Sequence, residues 1–286
     1  MKIRVYRLSS FTDSINGGNP AGVVLNADNL KEGEMKYIAK EVGYSETAFV
    51  SKSDKADFKV RFFTPVDEVD LCGHATIATF SLLNKKGIIS PGKYNQETKA
   101  GLLGIDINKS GEVMMNQNIP YFGEYLDKKI IAEALNISVE DFYSEYPVQI
   151  VSTGLKDIIV PIKSFDKMNF LIPNFDKIAK ICVENDSAGF HIFNLERKNF
   201  HASCRNFAPN LGIKEESATG TASGALASYF VQHGIYKANE KMVFEQGYKM
   251  KKPSKIKAIV EKKNGNFEKV KVGGKAVIID EITIEI

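Results

Sequence analysis

An α+β fold built from two similar halves is predicted for this 286-residue sequence by three of its features. First, residues 72–89 and 219–236 align without a gap at an offset of 147, placing Cys72-Gly73-His74-Ala75-Thr76 over Thr219-Gly220-Thr221-Ala222-Ser223. Second, Arg61-Phe62-Phe63-Thr64-Pro65 matches Arg205-Asn206-Phe207-Ala208-Pro209 at an offset of 144. A period of half the chain means two folding units rather than a solenoid of short repeats. Third, alternating apolar segments with hairpin signals outnumber helical ones, which is the pattern of an α+β chain.

The elements follow in order. Lys2 to Leu8 alternates as a strand, and a loop rich in Gly and Asn (Asn16 to Gly22) leads to a short strand ending at Leu25. Leu30 to Val42 carries Met35, Ile38, Ala39 and Val42 at helical spacing. Thr47–Ser51 and Asp57–Phe63 read as strands. A helix from about His74 to Lys86 then stops at Gly87, a residue suited to a left-handed cap. Strands are expected at 102–108 and 111–117, joined at Lys109-Ser110-Gly111. Asn118 to Tyr125, with Pro120 and Gly123, reads as the crossing between domains. The second half repeats the theme, with helices near 127–135 and 174–184 and a helix from Gly220 to Gly234. Its strands are expected at 147–152, 157–162, 188–194, 200–206, 241–246, 255–261 and 267–272, and Val277 to Ile286 closes the chain. The domains are therefore expected at 1–118, with 275–286 returning to it, and at 119–274.

Composition narrows the class. Hydrophobic content of 43% with 26% charged residues is that of a soluble globular chain. The net charge of +3 is scattered, and the lysine run from Lys249 to Lys257 has no interleaved aromatics beyond Tyr248, so no nucleic-acid surface is expected. Cys72, Cys182 and Cys204 are odd in number and lack CxxC spacing, which argues for a reducing compartment, the cytoplasm, and against a disulfide frame. No apolar run reaches membrane-spanning length. His74, His191, His201 and His233 are scattered without HExxH, so no metal site is expected. GxGxxG, the phosphate-loop pattern and GxSxG are also missing.

Three places could carry chemistry. Glu46, in Gly43-Tyr44-Ser45-Glu46-Thr47, stands where a helix gives way to an apolar strand, and burial there would tune its carboxylate for proton transfer. An exposed carboxylate or a helix cap would look the same in sequence. In Cys72-Gly73-His74 the glycine permits close backbone approach, and the imidazole exchanges protons near neutral pH. His74 could equally be a packed polar residue and Cys72 an inert buried thiol. In Glu216-Ser217-Ala218-Thr219-Gly220-Thr221 a carboxylate precedes a helix start, which either caps the helix or orients a substrate ammonium while backbone N–H groups hold a carboxylate.

At these residues the chain resembles the PhzF-like family, named for an isomerase of phenazine biosynthesis, and more distantly the diaminopimelate epimerase and proline racemase group. The likeness spans nearly the whole chain. It rests on Phe11-Thr12 with Gly18-Asn19-Pro20-Ala21-Gly22, on Ser45-Glu46-Thr47, on Phe63-Thr64-Pro65, and on Cys72-Gly73-His74-Ala75-Thr76. Val151-Ser152-Thr153-Gly154-Leu155, Arg205-Asn206-Phe207-Ala208-Pro209, Thr219-Gly220-Thr221-Ala222 and Val272-Gly273-Gly274 complete it. The resemblance implies two pseudo-symmetric epimerase-like domains, each a barrel-like, mostly antiparallel sheet around a central helix, with the active site in a cleft between them. It implies a homodimer and no cofactor.

It also implies roles. The family's catalytic carboxylate maps onto Glu46, its histidine onto His74, its aspartate onto Glu216 and a serine onto Thr221, with Asn19, Cys72, Gly73, Thr219, Gly220, Gly273 and Gly274 around the substrate. Glu216-Ser217 replaces the family's Asp-Pro, adding a methylene and freeing the backbone. The expected activity is cofactor-free proton transfer within a small carboxylate or amino-acid-like metabolite, with Glu46 as base and acid. A two-base epimerase needs a thiol at each helix start, and Thr219 stands where the second would be. An epimerase using Cys72 with another acid, and a metabolite-binding protein on the same scaffold, are the alternatives.

Overall fold

A computed structural model describes all 286 residues. The chain forms two compact units, Met1–Asn116 with Gly273–Ile286, and Gln117–Val272. These boundaries lie two residues from the expected ones, and the two chain crossings fall inside strands, β8 (Val113–Gln117) and β17 (Asn266–Gly274).

In the first unit β1 (Lys2–Ser10) pairs antiparallel with both β2 (Asn19–Val24) and the C-terminal β18 (Ala276–Glu285). β2 runs parallel to β3 (Thr47–Ser51), and β3 runs antiparallel to β4 (Phe58–Phe63). The short β5 (Glu68–Val69) and β6 (Gly92–Thr98) then join β4, antiparallel and parallel respectively. β6 pairs antiparallel with β7 (Gly101–Ile107), and β7 with β8. Helix α1 (Glu32–Val42) covers one face, inserting Met35, Ile38, Ala39 and Val42 among Val5, Val24, Phe49 and Phe63. Helix α2 (Gly73–Lys85) is different in kind. Ten of its thirteen residues are buried, so it is enclosed on nearly every side, and it packs against β1, β2, β3 and β18.

The second unit repeats the pairing scheme strand for strand. β10 (Val148–Ser152) and β11 (Lys156–Pro161) are antiparallel, β11 and β12 (Gly189–Asn194) parallel, and β12 and β13 (Ala202–Ala208) antiparallel. β14 (Ile213–Glu216) and β15 (Lys241–Gln246) join β13 as β5 and β6 join β4, and β16 (Ser254–Lys263) follows β15 antiparallel. Helix α6 (Gly220–Gln232) is the enclosed one, against β10, β11 and β16. α3 (Lys128–Leu135), α4 (Phe165–Phe170) and α5 (Phe175–Glu184) pack outside the sheet around Phe190, Ile192 and Phe207. The fold is α+β, two mixed, mostly antiparallel sheets each with a central helix.

Some readings of the sequence need correction. Asn118 to Tyr125 is not a linker: Tyr121–Leu126 is strand β9, paired with β10 inside the second unit. Pro120 ends at the strand's margin, where a missing N–H costs no ladder bond. Strand β2 begins at Asn19, within the stretch taken for a loop. Gly22 lies so near the Thr47 side chain that a Cβ would meet its Oγ1 at 2.7 Å, so this glycine serves sheet packing rather than a turn. The strand β6 and helix α4 carry too little periodicity to be read in advance.

Candidate active site

Glu46 is fixed by its neighbours in chain and sheet. Gly43 ends α1 in the left-handed region (φ 72°), and the Glu46 carbonyl accepts the Gly22 N–H at 3.2 Å. The side chain, 17% exposed, reaches the start of α2. There Cys72 occupies the cap position in extended conformation, and its side chain forms no capping bond. The helix therefore opens with its first N–H groups beside the thiol. Ser10 Oγ donates to the His74 carbonyl at 2.7 Å and holds that first turn to β1.

The His74 ring is buried and ringed by polar atoms. Its Nε2 lies 3.2 Å from Glu46 Oε2, 3.5 Å from Ser45 Oγ and 3.8 Å from Cys72 Sγ. Its Nδ1 lies 3.5 Å from Cys72 Sγ and 3.4 Å from Asn19 Nδ2. Burial pulls the imidazole toward neutrality, but Cys72 and Glu46 reverse that and hold its pKa well above the usual histidine value. Burial likewise pushes Glu46 up, and the adjacent His74 outweighs it, so the carboxylate stays below its ordinary value. Burial and the Glu46 charge push Cys72 up. Glu46 Oε2 and His74 Nε2 thus stand at ion-pair distance, the carboxylate favoured by the ring and the protonated ring favoured by its neighbours.

At the start of α6 the chemistry is milder. Thr219 is the cap residue, and its Oγ1 donates to Glu216 Oε2 at 2.5 Å. Gln246 binds the same turn three times: its Nε2 donates to the Glu216 carbonyl and to Thr219 Oγ1, and its Oε1 accepts from the Thr219 N–H. The Thr221 carbonyl accepts from Thr153 Oγ1 at 3.1 Å. Glu215, adjacent in sequence, is committed elsewhere, to a bidentate pair with Arg205 at 2.8 and 2.9 Å.

The structure therefore gathers Asn19, Glu46, Cys72, Gly73 and His74 at one helix start and Glu216, Thr219, Gly220 and Thr221 at the other. Gly273 and Gly274 are buried at the end of β17, and a Cβ on Gly273 would meet the Val113 carbonyl oxygen at 1.9 Å. That close approach alone requires glycine at 273. Sequence reasoning missed Gln246 and Ser45. Gln246 sits at the end of an apolar strand with no motif around it. Ser45 is signalled only by its adjacency to Glu46.

The expectation of no metal site came from linear spacing among the histidines; in space one histidine, one cysteine and one glutamate come together. Ligand atoms of Glu46, Cys72 and His74 lie within 4.8 Å of one another.

Comparison with known proteins places this architecture. The profile of the PhzC-PhzF family, described as phenazine biosynthesis-like protein, matches residues 8–281. An uncharacterized isomerase of Bacillus subtilis, YfhB, is 38% identical over 283 residues, covering 96% of this chain and 95% of its own. The trans-2,3-dihydro-3-hydroxyanthranilate isomerase of Pseudomonas fluorescens is 29% identical, covering 93% and 94%. The crystal structure of a PhzF-family phenazine biosynthesis protein from Bacillus anthracis matches with a TM-score of 0.92 and 33% identity over the whole of both chains. A hydroxyproline epimerase from Agrobacterium vitis, at 10% identity and a TM-score of 0.64 over 99% of this chain and 92% of its own, shares the fold. The repeated strand scheme, the enclosed helices and these likenesses together make the chain a member of the phenazine biosynthesis-like PhzC-PhzF family, and an isomerase by class.

Proposed function

We propose that this isomerase moves a proton from one carbon to another of a small carboxylate or amino-acid-like metabolite without a cofactor, Glu46 carrying the proton. The observation that carries this reading is the buried Glu46 carboxylate 3.2 Å from His74 Nε2 at the open end of α2. A carboxylate that accepts a proton from carbon needs a partner that holds its charge in place beforehand and releases it as the proton arrives. His74 suits that role, and Cys72 Sγ lies against both ring nitrogens. The first-turn N–H groups at Gly73, beside Glu46, suit a substrate carboxylate.

The Pseudomonas relative supports the substrate class, because its named substrate is an amino-carboxylate with a hydroxyl group. Glu216-Ser217, with its longer side chain, favours a related acid rather than that one. Epimerisation by two thiols is disfavoured because Thr219 stands where the second thiol would be, its Oγ1 hydrogen-bonded to Glu216.

The test is proton NMR in deuterium oxide with a panel of amino- and hydroxy-substituted cyclic and acyclic carboxylates. Wild-type protein is expected to shift a double bond or stereocentre with incorporation of label, and Glu46→Gln to lose the reaction. Turnover that survives Glu46→Gln and disappears in Cys72→Ala would replace this reading with a thiol-based epimerase. Tight binding with no label incorporated would replace it with a binding protein.

A further inference from the structure

We infer that Glu46, Cys72 and His74 form a site for one zinc-class divalent cation. The donor set is one imidazole nitrogen, one thiolate sulfur and one carboxylate oxygen. That mixture suits zinc and its neighbours rather than magnesium or calcium, which select oxygen alone. Three protein ligands with one position left to water is the usual composition of an open zinc centre.

Two of the three donor–donor distances are close to the edges of a tetrahedron. Zinc bonds of about 2.0–2.2 Å to nitrogen and oxygen and about 2.3 Å to sulfur give tetrahedral edges of roughly 3.3 Å between nitrogen and oxygen and roughly 3.6 Å between nitrogen and sulfur. His74 Nε2 stands 3.2 Å from Glu46 Oε2 and 3.8 Å from Cys72 Sγ. All three donors converge within 4.8 Å.

A second observation is independent of the donor count. Glu46 Oε2 is buried and has no aligned hydrogen-bond donor, although Nε2 is near. The two atoms adjoin without pointing at each other, as ligands of a common ion do. Burial of Cys72 and His74, 7% and 6% exposed, supplies a dry wall around them. On binding, the cation takes the thiolate and the imidazole lone pair, and any protons on those groups leave to solvent.

A consequence rests on the reading of Glu46 as proton carrier: the cation and the proton transfer exclude each other, so the loaded protein is inactive. The binding itself does not rest on it. The test uses the full-length protein, stripped with chelator, titrated with cobalt(II) and followed by absorption. One equivalent is expected to bring a near-ultraviolet thiolate-to-cobalt band and strong visible bands of a four-coordinate ion, both abolished by zinc.

Cys72→Ser is expected to lose the ultraviolet band and weaken binding by more than the roughly 10- to 100-fold that loss of an outer partner costs. Cys182→Ser and Cys204→Ser are expected to keep the band. A pale six-coordinate spectrum in wild-type protein, or a thiolate band that persists in Cys72→Ser, would overturn the site whatever the variants' stability. Saturable one-equivalent binding in a protein whose turnover is indifferent to Glu46→Gln would leave the site standing and remove the proton-carrier reading.

Discussion

The starts of α2 and α6 descend from one repeated segment and do different work, and the difference can be traced to one backbone position. Strand pairing matches the units: Thr47 faces Phe63, and Phe190 faces Phe207 at the repeated Phe. Gly189 therefore stands where Glu46 stands. A Cβ on Gly189 would lie 2.3 Å from the Phe207 carbonyl oxygen and 3.2 Å from the Ala208 Cα. No carboxylate can occupy that place in the second unit. With Cys72 against Thr219 and His74 against Thr221, the first unit gathers titratable side chains and the second keeps a hydrogen-bonding helix start. Duplication supplied two equivalent scaffolds, and packing on one strand decided which could hold a base.

The largest expected effect is on turnover. Removing one general acid–base group costs roughly 10²- to 10⁴-fold, so Glu46→Gln is expected to lower kcat/KM by that much while circular dichroism and melting stay close to wild type. Thr221→Val is expected to act through KM instead, since Thr221 offers a hydroxyl at a helix start and no titrating group. Steady-state kinetics of the two variants on one substrate check the contrast, and equal losses in kcat would erase the asymmetry.

Next in size is a comparison of two arginines. Arg61 makes a bidentate pair with Glu68 and lies over Phe63, and Arg205 makes one with Glu215 and lies over Phe207. The pairs differ in burial. Arg205 is 7% exposed and also donates to the carbonyls of Met168 and Leu171, whereas Arg61 is 27% exposed. Breaking a buried pair costs about 3–5 kcal/mol, and that is the expectation for Arg205→Ala. Arg61→Ala is expected to cost about 1 kcal/mol, the upper range for solvent-screened pairs. Urea denaturation of both variants measures the gap. Gly189→Ala falls between them, at roughly 1–3 kcal/mol for forced overpacking.

Much of this asymmetry could be read before the structure, and the unread part has physical causes. The two helix starts were legible because Gly73 and Gly220 anchor a gap-free repeat that no single element explains. Glu46 was legible through the family resemblance, since position alone would suit an exposed carboxylate or a helix cap equally well. Gln246 was not, since its importance comes from pairing β15 with β13 far along the chain. The convergence of Glu46, Cys72 and His74 was equally hidden: their spacing in sequence reflects a loop, a sheet and a helix folding onto one point. Strand β9 escapes the sequence because Pro120 and Gly123 signal a break, whereas Pro120 sits outside the ladder and a Cβ on Gly123 would crowd the Ile150 Cβ at 3.1 Å.

The smallest expected effect concerns the carboxyl that each unit buries. Asp157 is the strand partner of Gly189, so it lies beside the position that matches Glu46. Glu46 Oε2 has the His74 ring 3.2 Å away, a group that can carry the opposite charge, whereas Asp157 Oδ2 is buried with no such neighbour and faces the Glu216 charge. Burial and the Glu216 charge push its pKa well above the usual aspartate value. The unfolded chain ionises near the ordinary value of about 3.9. Stability from a neutral Asp157 is therefore fully present below that pH and is lost as pH rises toward the raised folded value, because only the unfolded chain releases the proton. Asp157→Asn keeps the shape and cannot ionise. Its melting temperature relative to wild type is expected to climb with pH across that window and then level off. Parallel melting curves for the two proteins from acid to neutral pH would show that Asp157 titrates alike folded and unfolded, and the contrast between a partnered and an unpartnered carboxyl would fail.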